Sequence, residues 1–230
     1  MANEKHLAAI QAGGASWNQW RKRHRSIPID LAGAVLTEAN LFEANLFEAN
    51  LSQANLSWAN LSWADLSWTK LDRANLSKAN LNGADLSAAD LSQTNFSDAN
   101  LTRVDLSGAN LSRADLHLSN LRQAKLSWAN LIEANLSRAC LAEADLSGAN
   151  LSGADLRGTN LKGATLRDAQ LRGANFRGAD LSGANLTGVD LSEVDLSKAK
   201  LKGATLEGSN GKGVAVPHPE LLHHHDEGRS

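Results

Sequence analysis

Leucine or phenylalanine occupies every fifth position from Leu31 to Leu206, 36 times in succession and without an insertion. Only Phe96 and Phe176 replace leucine in that series. Two places before each such residue (position −2) stands alanine in 28 of the 36 repeats, and the remainder are small or β-branched. Asparagine or aspartate fills position −1, again in 28 of 36. Serine is commonest at +1, and +2 varies freely. Neither ordinary period accommodates this spacing. On an α-helix five residues turn through about 500°, so successive leucines fan out by about 140° and form no stripe. On a strand a step of five alternates faces, and half the leucines would meet water. They share one interior only if the chain bends through a similar angle every five residues and coils around them. Position −2 then also faces inward, where only a small side chain fits. Asn or Asp at −1 suits the bend, because these side chains bond to nearby backbone and tolerate unusual dihedrals.

The phrase A-(N/D)-L-x-x, as in Ala54-Asn55-Leu56-Ser57-Trp58, resembles the pentapeptide-repeat proteins, and the likeness covers about 180 of the 230 residues. That resemblance implies an all-β chain, a right-handed quadrilateral β-helix with four pentapeptides per 20-residue coil. The 36 repeats then make about nine coils, roughly 43 Å long at about 4.8 Å per coil. A lag of 20 stacks Asn40, Asn60, Asn80, Asn100 and Asn120 on one side and Asp65, Asp85 and Asp105 on the next. The second ladder resumes, after Lys125, at Asp145.

The expected organisation is an N-terminal arm and cap over 1–28, a repeat body over 29–208 and a loosely ordered tail over 209–230. Ser16 and Gln19 have capping-box spacing, and Trp17 and Trp20 fall on one helical face. A helix over about 16–25 is predicted, its tryptophans covering the open edge of the first coil. The lead-in "SWNQWR…P…DL" also resembles that of some bacterial, notably cyanobacterial, members of the family. In the tail, Val214 to Val216 are expected to add a strand over the last coil.

Composition narrows the function. No stretch nears the roughly 18 apolar residues of a membrane span, and the run Leu7-Ala8-Ala9-Ile10 is too brief for a signal-peptide core. The lone Cys140 excludes an intrachain disulfide framework. These features predict a cytoplasmic protein with no membrane partner. A catalytic site needs unlike groups converging in a concavity, and evenly spread Ser, Asn and Asp on a filled rod offer none. No enzyme activity, cofactor or metal site is expected; three adjacent histidines, His223 to His225, do not form a cage.

A partner would meet the outward side chains. Phe42, Phe47, Trp58, Trp63 and Trp68 depart from the small polar norm within two coils and form a candidate apolar girdle. They predict contact with an unidentified protein, or self-association through the girdle or the solenoid ends. The Asp65, Asp85, Asp105, Asp145 stripe raises an alternative, since the quinolone-resistance branch of the family resembles duplex DNA and binds DNA gyrase. Here residues 31–208 carry 20 acids against 16 bases, which is mild, and the loop insertions of some gyrase-protecting members are missing. Direct nucleic-acid binding is not expected. "RKRHR" at 21–25 suits a helix C-terminus, and Arg157, Lys162, Arg167, Arg172 and Arg177 wrap the rod rather than line one side.

Overall fold

The computed structural model describes residues 2–210. From Asp30 to Asn210 the chain is a β-helical solenoid, in which every parallel bridge joins a residue to the one 20 positions later, from Asp30–Asn50 to Asp190–Asn210. Four repeats therefore make one four-sided turn. Each side holds a single bridge, and what stabilises the stack is the hydrogen bonding between coils. Leu56 and Trp58 donate N–H bonds to the carbonyls of Asn75 and Ser77 at 2.7 and 3.0 Å, and Asn75 donates back to Ala54 at 2.9 Å.

Corners are tight turns. Ala59 N–H donates to the Leu56 carbonyl at 3.0 Å, and the +2 residue between them, Trp58, has φ of 62°. This is a type II turn, whose third residue must be left-handed. The +2 residue has φ between 53° and 76° in 34 of the 36 repeats, and in 21 of those 34 it is not glycine. The unusual dihedral thus sits at +2, not at −1 where the sequence suggested it. Position −1 serves differently. The Asn55 side chain accepts the Ser57 N–H at 3.1 Å and, on its free side, the Asn75 amide at 3.3 Å. Most Asn and Asp at −1 accept a backbone N–H within their own repeat in this way, and where the next coil stacks an asparagine its amide links the two coils.

The centre and −2 residues fill the interior as expected: Leu56, Leu126 and Leu186 are fully buried, as are Ala59 and Ala184. Polar residues in the −2 stack are satisfied internally, for example Thr94, whose hydroxyl donates to the Leu71 carbonyl at 2.7 Å.

One seam is imperfect. Val189 and Val194 stack on Ala169 and Ala174 (a valine on an alanine in each case), above the large Phe176. Among the described residues, the regular exchange between Asp190 and Ala169 is missing, and Gly178 N–H donates to Lys198, one residue out of register. Glu193 and Lys198 are also the two +2 residues without positive φ. Valine alone does not explain the break, since Val104 stacks on Ala84 with the regular 2.9 Å bond from Asp105 N–H kept; on this side a cleft of about 460 Å³ opens between the coils.

At the N-terminus there are two helices, α1 (Glu4–Gln11) and α2 (Gly14–Arg23), where one over about 16–25 was expected. The Asn3 side chain caps α1 by accepting the Lys5 and His6 N–H groups. The capping box does not form: Ser16 and Gln19 lie exposed inside α2, which starts two residues earlier and has no side-chain cap. Its start is set by contact with the solenoid. Gly14 N–H donates to the Asn40 carbonyl at 3.0 Å, and a Cβ there would lie 2.5 Å from the Phe42 carbonyl oxygen, so only glycine approaches this closely. The expected strand at Val214 to Val216 and the histidines at 223–225 lie outside the described residues.

Candidate functional site

α2 closes the first coil by bonding to its free edge. Trp17 is fully buried and its indole N–H donates to the Asn45 carbonyl at 2.6 Å. Asn18 donates to the Glu43 carbonyl at 2.8 Å and accepts the Asn45 N–H at 2.7 Å. Trp20 stacks between Trp17 and His24, with centroids at 5.3 and 4.3 Å. On the opposite side Asp30 N–H donates to the buried His6 ring at 3.1 Å. Trp17 thus bonds to the first coil directly, while Trp20, half-buried, packs against Trp17, His6 and His24. The N-terminal end, one expected place for self-association, is covered.

The cap does not cover the girdle. Phe42, Phe47, Trp58, Trp63 and Trp68 are all exposed. By the 20-residue register Trp63 follows Glu43 and Trp68 follows Glu48, while Phe42 and Phe47 precede Ser62 and Ser67, so the aromatics do not stack on one another from coil to coil. Trp58, Trp63 and Trp68 occupy three successive corners of one coil, so they face three directions. The rings of Trp63 and Trp58 are held rather than loose. The six-membered ring of Trp63 lies on Gly83, where a Cβ would come within 2.8 Å. Lys78 holds its ammonium 4.7 Å from the Trp58 ring centre, and Ala88 presents only a methyl beyond Trp68.

Sequence reasoning missed Trp128, the most exposed of the large apolar residues at 76%. Its ring lies on Gly148 as Trp63 lies on Gly83. The signal was available as the 60-residue separation from Trp68, three coils along the same corner.

Charged groups sort into paired and unpaired sets. Arg21 donates to Asn45 Oδ1 and the Phe47 carbonyl; burial pushes its guanidinium down, against the charges of Asp65 and Glu48. With Lys22, Arg25, Glu43 and Trp63 it lines a cleft of about 510 Å³. Along the acidic ladder, Lys125 Nζ pairs with Asp105 at 3.1 Å. Burial raises the Asp105 carboxyl, but bonds from Ser107 and Lys125 outweigh it and leave it below the ordinary range. Among the described residues no cation pairs with Asp65, Asp85 or Asp145. The later basic series is consumed locally: Arg157 pairs with Asp155, Lys162 with Asp180, Arg167 with Asp168 and Arg172 with Glu193. Cys140 is half-buried in the −1 ladder, its Sγ accepting from the Asn160 amide at 3.8 Å. Among the described residues no helix is long and apolar enough to cross a membrane.

With this geometry established, known proteins were compared. The sequence model of the family described as Pentapeptide repeats (8 copies) matches residues 29–62, 59–98, 99–138, 139–178 and 174–210. No curated protein matches the chain. Among solved structures, a trypsin-treated variant of QnrB1, a plasmid-mediated fluoroquinolone resistance protein, aligns over 74% of this chain and 87% of its own, with TM-score 0.68 and 20% identity. HetL, a pentapeptide repeat protein involved in heterocyst differentiation regulation in the cyanobacterium Nostoc sp. strain PCC 7120, is 33% identical over 87% of this chain and 96% of its own, with TM-score 0.34. The likeness to QnrB1 shows the fold, a right-handed β-helix, and the two N-terminal helices fit a cap on its first coil.

Proposed function

The chain belongs to the pentapeptide-repeat family, and on that premise we propose that it is a non-enzymatic scaffold module presenting a rigid, patterned surface to a protein partner. The rod has about nine coils, from 36 repeats taken four at a time. One observation carries the reading. The interior is filled by leucine and alanine, yet tryptophans stand exposed at the corners, with Trp63 and Trp128 laid flat on glycines of the next coil. Exposed apolar area of this kind marks a contact surface, and rings already fixed in place lose little freedom on binding. The test is the combined substitution Trp58→Ser, Trp63→Ser and Trp68→Ser, followed by partner pull-down and analytical ultracentrifugation. Loss of a specific partner or of self-association, with the melting profile kept, supports the module. No change in either removes it.

The alternative is a DNA-mimicking binder of DNA gyrase or topoisomerase. In its favour Asp65, Asp85 and Asp105 stack on consecutive coils; against it, Lys125 enters that ladder and neutralises Asp105. Gyrase supercoiling unaffected by excess protein would eliminate this reading, whereas dose-dependent inhibition would displace the first.

A further inference from the structure

The corner carrying Trp68 and Trp128 differs from the other three. Between the two indoles its +2 residues are Ala88 and Gly108, the smallest pair at any corner of those two coils. The other corners there present Arg73 and Gln93, Lys78 and Asp98, or Gly83 and Arg103. The space above Gly108 is open, with no atom within 4 Å of where a Cβ would stand. The result is a shallow slot along the rod, bounded by indoles that are 63% and 76% exposed.

Two features select what would fill it. The first is an internal precedent: Lys78 sits over the Trp58 face, so this chain already uses a corner indole as a cation platform, and no described cation is found over Trp68 or Trp128. The second is charge. Of the two adjoining sides, one carries Asp65, Asp85 and Asp145 without ion-pair partners among the described residues, its one lysine being held by Asp105, while the other carries Lys70 stacked next to Asp90, so the two sides together remain acidic. A partner's cation over either indole would gain both the ring quadrupole and a nearby carboxylate.

Spacing refines the partner. Trp68 and Trp128 are three coils apart, roughly 14 Å at about 4.8 Å per coil. An extended chain advances about 13.5 Å in four residues, and residues i and i+4 point the same way. We propose that this corner is a docking site for an extended protein segment with Lys or Arg at i and i+4, its i+2 side chain seated over Ala88 and Gly108. The proposal rests on the protein-binding reading above and names the partner's chemistry.

The probe is a fluorescein-labelled nine-residue Ser/Gly peptide with lysines at its third and seventh places, titrated with the full chain at low salt and read by anisotropy. Moving the second lysine to the sixth place turns it to the opposite face and should weaken binding roughly tenfold. Trp128→Ser should do the same while leaving Trp58, Trp63 and Trp68 in place, and Trp128→Phe should restore part of the affinity. Equal binding of the two peptides, or undiminished binding by Trp128→Ser, overturns the site even if the triple-serine variant still loses its partner. Trp128-dependent binding of a neutral cello-oligosaccharide, with no binding of the lysine peptide, overturns it in favour of a glycan.

Discussion

The first two-thirds of the rod and the last third share the same coil and, apart from Glu193 and Lys198, the same turn, yet they fill the strained corner position differently. Of the 23 corner residues from 33 to 143, 20 are not glycine and all 23 have positive φ. Of the 13 from 148 to 208, ten are glycine. A non-glycine residue in that conformation costs about 1 kcal/mol. The N-terminal region tolerates this at nearly every corner, and its corner side chains then act on the neighbouring coil. Arg113 pairs with Glu133, Arg103 donates to Gln123, and Lys78 covers Trp58. The C-terminal region relaxes the backbone with glycine and moves its charge to +1, as in Arg157 and Lys162. Surface information is thus concentrated where the backbone is strained, which is the pattern expected of a rod that is read along part of its length.

If that difference is confined to the surface, the core should not register it. Leu81→Asp and Leu181→Asp each bury an unpaired carboxylate, and each should cost more than about 4 kcal/mol. Urea denaturation of both variants checks this; a much milder loss at Leu181 would show that the C-terminal coils fold as a separate, weaker unit. A smaller effect separates the two uses of glycine. Gly148→Ala pays for left-handed backbone and also drives a methyl to 2.7 Å from the Trp128 ring, whereas at Gly163 the nearest atom is 3.8 Å away. Losses of about 2 kcal/mol at Gly148 and about 1 kcal/mol at Gly163 are expected, with indole emission altered only at Gly148. In the opposite direction, Gln53→Gly removes strain at an exposed corner and should gain about 0.5–1 kcal/mol in the same measurement.

The core was legible because the five-residue period leaves leucine one interior to share, and because alanine at −2 reports a space with room for one methyl. The corner conformation was not, although 13 of the 18 glycines fall at +2. Twenty non-glycine residues in the N-terminal region hide that signal, since tertiary stacking overrides the local preference there. The cap was half legible. Trp17 and Trp20 announce a buried face, but the start of α2 depends on Gly14 touching the Phe42 carbonyl, a contact 28 residues away. Trp128 was passed over because relatedness on this rod runs in steps of 20, and its companion Trp68 stands 60 residues earlier.

The smallest expected effect concerns acid. The −1 ladder is mostly asparagine early on, and the carboxylates held below their ordinary range all lie at or beyond Asp105. At Asp145 and Asp180 burial pushes up but the serine bonds prevail. At Asp155 the leading cause is the Arg157 hydrogen bond, and at Asp190 and Asp195 it is the bonds from Ser192 and Ser197. A carboxyl lowered in the folded state stabilises it above the ordinary value, and that stabilisation is lost as pH falls from about 4 through the lowered value. Asparagine in the same place accepts the same N–H and does not titrate. Acid should therefore loosen the C-terminal coils first, beginning at the seam near Asp190 where the ladder is already interrupted. Hydrogen exchange compared at pH 5 and pH 3, corrected for intrinsic rate, should show protection falling near 190–198 before it falls near 50–60. The double variant Asp190→Asn and Asp195→Asn should bring the two regions closer together at pH 3. Unchanged acid lability in that variant would assign the weakness to the interrupted ladder alone and leave the carboxylates no part in it.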